Sequence, residues 1–164
     1  MLELHPFGNF IPHNTTFLLI GSFATKNSPW FYTNSRNQFW PLLEEVYSRE
    51  FPTLASKKQL FKDLSMAVCD SILSCERKHN SNLDSNLVNI TYNLQAIKYI
   101  IEKYPLQSVY FTSRYVEKLF KKNFNEYLWQ PENLITLPSP SPRYAKLSFS
   151  EKAKLYKQLF PKLV

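Results

Sequence analysis

Apolar residues fall along this chain in two distinct rhythms. Residues 16–21 are almost wholly apolar and alternate little, which predicts a strand buried on both faces. Residues 66–72 (MAVCDSI) predict a second buried strand running into a polar turn. Residues 108–111 (SVYF) and 133–137 (NLITL) predict the third and fourth. Between them the spacing turns helical. Phe39, Leu42, Leu43 and Val46 share one face of a helix over 38–47, which Asn37 would cap and Pro41 would enter in its first turn. Residues 56–64 predict a short basic helix. Residues 94–104 (LQAIKYIIEKY) predict an amphipathic one stopped by Pro105, and 114–121 another. Ser148 and Glu151 form a capping box opening a last helix over 148–160.

Strands that alternate with helices pair in parallel and are covered on both faces. The expected fold is therefore an α/β three-layer sandwich around a central four-stranded parallel sheet, near residues 17–22, 66–71, 107–112 and 133–137. The 164 residues suit a single domain over 1–164, and neither a repeat nor a linker interrupts it.

Composition narrows the function. Two glycines, Gly8 and Gly21, are too few for a dinucleotide fingerprint or a P-loop, whose backbones must approach phosphate closely. No G-x-S-x-G elbow, H-E-x-x-H or paired Cys-x-x-Cys occurs, so no metal and no cofactor is expected. Cys69 and Cys75 read as two buried small residues. No apolar run is long enough for a membrane span, and the N-terminus shows no secretory pattern. The expectation is a soluble cytoplasmic protein, a monomer with no membrane partner. The net charge is +7, unevenly spread. Residues 1–50 carry three basic and four acidic groups, whereas 121–164 carry eight and three, so a polyanion would meet the last third first.

Two loops concentrate the candidate chemistry. The first follows the strand at 16–21 and reads GSFATKNSPWFYTNSRN, ahead of Phe39-Trp40. The second, LPSPSPRYAK at 137–146, follows the fourth strand. An α/β sheet places its ligand at the carboxyl ends of its strands, where both loops would lie.

The pair resembles the two active-site motifs of the uracil-DNA glycosylase superfamily. It is most similar to the hypoxanthine-DNA glycosylase branch, whose first motif also starts GSF and whose helix also opens with Arg-Asn and Phe-Trp. The likeness starts near His5-Pro6-Phe7. It runs through CDSILSCERK at 69–78 and Leu83-Asp84-Ser85, and ends in SFSEKAKLYKQLF.

The resemblance implies a monofunctional DNA glycosylase that hydrolyses the N-glycosidic bond of a deaminated base, hypoxanthine first and uracil second. The base would be flipped from DNA that holds deaminated or mismatched bases. The alternative is a weak or inactive member that binds nucleic acid or a nucleobase. By resemblance Asn37 carries the catalytic weight, orienting water and stabilising charge. Ser22 stands where other branches have Asp or Asn; its hydroxyl is too weak a base to act alone.

A flipped base needs a flat partner, for which Tyr32 is the best match, with Phe23 and Phe31 beside it. Thr112 stands where the branch has an Asn able to read the base. The position of the uracil branch's catalytic His is Leu137 or Pro138. Three prolines stiffen the second loop as a wedge. Ser139 and Ser141 would bond phosphate, and Arg143, Tyr144 and Lys146 would enter the stack or hold the backbone. Asp70 and Arg77 read as structural residues, with Arg77 pairing near Glu76 or with phosphate. His5, His13 and His79 read as surface or terminal residues. Lys26 is the one lysine near enough to raise Schiff-base chemistry.

Overall fold

The computed structural model describes residues 1–127 and 129–163. Four strands form the central parallel sheet: β2 (Phe17–Gly21), β3 (Met66–Asp70), β6 (Ser108–Phe111) and β7 (Leu134–Thr136), in the order β3-β2-β6-β7. All four lie within two residues of their expected bounds. Every residue of β3 is buried, and Leu18, Leu19 and Ile20 of β2 have no exposed surface. This burial explains the unbroken apolar runs.

Successive side chains point to opposite faces, so each strand feeds two cores. Leu19, Val68 and Tyr110 pack under α1 (Phe39–Tyr47), α2 (Leu54–Asp63) and α5 (Phe149–Leu159). Leu18, Ile20, Ala67, Cys69, Val109 and Phe111 pack under α3 (Leu94–Lys103) and α4 (Arg114–Asn123). The result is the expected three-layer sandwich. Cys69 and Cys75 are buried thiols. Among the described residues no helix is long and apolar enough to cross a membrane.

A second sheet was not legible. β1 (Glu3–Leu4), β4 (Ile72–Arg77) and β5 (Leu87–Tyr92) pair antiparallel in the order β1-β4-β5. The strand expected over 66–72 breaks at Ser71, whose N–H still reaches Gly21 O at 2.8 Å before the chain turns into β4. The small sheet continues from the carboxyl end of β3 and carries the chain past the end of the large one.

Ser148 caps α5 as expected: its hydroxyl accepts the Glu151 N–H at 3.1 Å, and Glu151 returns the bond to the Ser148 N–H at 3.1 Å. Ser148→Ala should cost about 1 kcal/mol. Thermal denaturation should show that as a fall in Tm of roughly 2–4 °C. An unchanged Tm would mean the box adds nothing to α5.

Candidate active site

The order β3-β2-β6-β7 reverses direction between β2 and β6. In open α/β sheets the ligand crevice lies at such a switch point, outside the carboxyl ends of the strands. A cavity of about 440 Å³ occupies that place. Its wall takes Ser22 and Phe23 from just past β2, Asp70 from the end of β3, Thr112 and Ser113 from just past β6, and Ser139–Arg143 from the loop after β7. The two loops, more than a hundred positions apart in sequence, thus share one cavity.

Most of the expected site residues line it: Ser22, Phe23, Phe31, Tyr32, Asn37, Thr112, Ser139, Ser141 and Arg143. Tyr144 and Lys146 do not. Both are exposed beyond the rim, and the Lys152 ammonium sits 5.5 Å from the Tyr144 ring. Lys26 is also absent from the wall.

The N-cap expected at Asn37 moves by one residue. Gln38 takes the cap position, without a side-chain bond. The Asn37 Oδ1 accepts the Phe39 N–H at 2.8 Å. That contact fixes the amide orientation, because only the oxygen can face an N–H. Asn37 therefore offers the cavity its Nδ2 donor chiefly, while its acceptor already serves the helix.

The aromatic residues differ in what they leave free. Phe31 is 2% exposed and packs edge-on against Phe7 and Trp30, at 4.7 and 5.3 Å between centroids; its carbonyl accepts the Trp40 indole N–H. It is a core residue that touches the cavity. The Tyr32 ring lies 4.4 Å from that of Phe39, and Tyr32 has a φ of +61°. A left-handed conformation is uncommon for an aromatic residue and marks a backbone held by its surroundings. The Tyr32 hydroxyl is buried without a hydrogen-bond partner among the described residues. Burial, reinforced by the nearby Asp70 charge, pushes its pKa well above the usual phenol range. Phe23 is half-buried, with the Arg77 guanidinium carbon 5.2 Å from its ring centroid.

His5 is a correction. The sequence pattern places it at the surface, yet its side chain is 5% exposed and its Nε2 lies 2.6 Å from Asp70 Oδ2. Its Nδ1 accepts the Gly8 N–H at 3.1 Å, so the ring proton sits on Nε2 and is donated to the carboxylate. No sequence signal joins positions 5 and 70; the antiparallel pairing of β1 with β4 brings them together. The other oxygen of Asp70 lies over Gly21. A Cβ on Gly21 would sit 2.5 Å from Asp70 Oδ1 and 2.7 Å from the Tyr32 hydroxyl, so only glycine fits the cavity floor.

Arg77 is structural, as expected, but its partner is Glu3 rather than a neighbour of Glu76. Its Nε donates to both Glu3 oxygens, at 2.9 and 3.1 Å, while Nη2 holds the Ala24 carbonyl and Nη1 donates to Asn82 Oδ1 at 3.2 Å. Asn82 Oδ1 also accepts the Lys26 N–H at 3.1 Å. These bonds fasten the segment 81–84 to the loop after β2.

That fastening brings in a residue to which sequence reasoning gave no role. Asp84 opens a short 3-10 turn, lines the cavity, and has the Ser22 hydroxyl beside its carboxyl group. Burial pushes its pKa up, the Asp70 charge adds to this, and Ser22 and Arg77 pull against it. Leu83-Asp84-Ser85 lay within the family resemblance, which was the available signal. In the second loop the serines shape the loop itself. Ser139 Oγ accepts the Ser141 N–H at 3.2 Å, and Ser141 Oγ the Arg143 N–H at 3.3 Å. Each hydroxyl keeps its own proton to donate. Lys152 ties the loop down, donating to Ser141 O at 3.1 Å and to Gln38 Oε1 at 2.8 Å. Among the described residues no three His, Cys, Asp or Glu side chains gather to hold a metal.

This architecture aligns with a solution structure of a candidate uracil DNA glycosylase from Methanosarcina acetivorans. The TM-score is 0.67, the alignment covers 97% of this chain and 99% of that one, and the identity is 22%. The fold is uracil-DNA-glycosylase-like. No family profile and no curated protein matches the chain in sequence.

Proposed function

We propose that the protein is a monofunctional DNA glycosylase, hydrolysing the N-glycosidic bond of a deaminated base flipped out of DNA. One observation carries this reading: the loop after β2 and the loop after β7 line a single cavity at the switch point of a uracil-DNA-glycosylase-like sheet. A target base must leave the stack to be reached, and that requires a pocket walled by aromatic and polar groups beside a DNA-contacting surface. Tyr32 and Phe23 supply the flat walls. Arg143 on the rim, with Tyr144 and Lys146 outside it, faces the backbone.

Departure of the base leaves positive charge on the sugar and negative charge on the base. The Asn37 Nδ2 donor, held on the first turn of α1, stabilises the second of these. With Lys26 off the cavity wall and the Lys152 amine bonded to Gln38 and Ser141, the reading favours water over an amine as nucleophile. Hypoxanthine ranks first and uracil second among substrates, on the resemblance of the first motif.

The test is a panel of duplexes holding inosine, deoxyuridine, xanthosine or a mismatched thymidine, scored for free base. Release from inosine and deoxyuridine is expected. Binding of all four without release would leave a nucleic-acid-binding module instead.

DNA affinity should also fall steeply with salt. Each phosphate contact removed lowers the slope of log K against log[salt] by about 0.9 for duplex DNA. The Arg143→Ala, Lys146→Ala double variant should show a reduction of one to two such steps. An unchanged slope would remove this loop from the interface.

A further inference from the structure

Within the glycosylase reading, on which this inference rests, the hydrolytic water lacks an assigned base. Asn37 Oδ1 already accepts the Phe39 N–H, and an amide takes no proton at neutral pH. Ser22 and Thr112 are hydroxyls. His5 donates to Asp70 through Nε2, accepts from Gly8 at Nδ1, and is not a wall residue.

Two carboxylates remain on the wall among the described residues, and their environments differ. Asp70 is 3% exposed on the floor, with Oδ2 occupied by His5 and Oδ1 pressed over Gly21. Asp84 is half-buried on the side wall, next to the Ser22 hydroxyl. A base that meets water must be reachable by water, and that favours Asp84.

We propose that Asp84 is the general base of the hydrolysis, with Ser22 as the positioning residue that holds its carboxylate and the attacking water. In this step a water O–H gives its proton to the Asp84 carboxylate as the water oxygen bonds to C1′. The C1′–N bond breaks, its electron pair leaves with the base, and the departing base takes a proton from solvent. Asp84 later returns its proton to solvent. Asp70 fixes the negative floor without transferring a proton.

A pH profile can isolate this role. The charged or titratable groups facing Asp84 are Asp70 from β3, Arg77 from β4 and Tyr115 from α4. The Tyr115 phenol is pushed up to about 12 by burial and keeps its proton throughout. A base works only when deprotonated. The excision rate should therefore rise with pH, at unit slope, through the pKa of Asp84 and then level off. Because burial and Asp70 raise that pKa, the break should fall above the ordinary value of an aspartate.

Single-turnover excision by the full-length protein, on whichever duplex of the panel the parent cleaves, tests the assignment. Asp84→Asn should lose a factor of roughly a hundred or more, and with it the acid limb. Binding to an abasic duplex should stay close to that of the parent. Ser22→Ala removes the neighbouring hydroxyl that lowers the Asp84 pKa, so its acid limb should move to higher pH, a shift that no purely structural role produces. An Asp84→Asn protein that keeps both the parent rate and the acid limb overturns the assignment while leaving the glycosylase reading intact. A Ser22→Ala limb that stays in place overturns it equally, and serves if Asp84→Asn does not fold. A parent that releases no base from any duplex overturns the glycosylase reading and this assignment together.

Discussion

Asn37→Ala is expected to lower single-turnover base excision by roughly a hundredfold or more while leaving DNA affinity near the parent value. Loss of one preorganised donor aimed at developing charge has an effect of that size. Asn37 is preorganised because its oxygen is bonded to the Phe39 N–H, the first of α1, at 2.8 Å. Its amide cannot rotate without breaking that bond. The same bond gives the substitution a structural cost of about 1 kcal/mol, the usual cost of removing a side chain that satisfies a helix-terminal N–H. A melting curve measured alongside separates the two effects. Asn37→Asp keeps the acceptor for Phe39 but replaces the donor with a negative charge, in a cavity that Asp70 and Asp84 already line. It should therefore hold the fold and still lose excision. Parent-like rates in both variants would place the charge-stabilising donor elsewhere.

Gly21→Ala is expected to be nearly as damaging, for a steric reason. The added methyl would lie 2.5 Å from Asp70 Oδ1 and 2.7 Å from the Tyr32 hydroxyl. Neither neighbour is the loose end of a flexible chain. Asp70 is held by His5 at 2.6 Å, and the Tyr32 hydroxyl is buried. Overpacking of this kind costs about 1–3 kcal/mol. For a chain of this size that corresponds to a fall in Tm of roughly 2–4 °C for each kcal/mol. Activity should suffer more than stability, because the displaced groups are the cavity floor. Tyr32→Phe in the Gly21→Ala background removes one of the two clashes and should restore part of the Tm, a coupling that additive variants would not show. A Gly21→Ala protein with parent stability and parent excision would mean that the floor yields freely.

The large sheet was readable because strands buried on both faces leave unbroken apolar runs, as in Leu18–Leu19–Ile20 and Met66–Ala67–Val68. The α5 start was readable because a capping box is a local device, with Ser148 and Glu151 three positions apart. The small sheet was not readable. Cys75, Glu76 and Arg77 look like a polar turn, and their strand character comes from pairing with distant partners at Glu3, Leu87 and Val88. That same sheet delivers the parts of the site that sequence reasoning misplaced. It presses His5 onto Asp70 across 65 positions, and through Arg77 and Asn82 it fastens Asp84 against the loop after β2. Residues within the two loops could be chosen from local sequence and family resemblance. The carboxylates that complete the cavity depend on long-range pairing, which local sequence does not encode.

Cleavage of an N-glycosidic bond by water at this cavity leaves a distinctive set of products. Its most direct test is product analysis of a single turnover on an inosine-containing duplex. Free hypoxanthine is expected in an amount equal to the abasic sites formed. The DNA strand should stay whole until alkali cuts it, and borohydride should trap no covalent adduct. Adduct trapping would contradict hydrolysis by water. Intact inosine duplex, together with equally intact deoxyuridine, xanthosine and mismatched-thymidine duplexes, would contradict the assignment of a glycosylase.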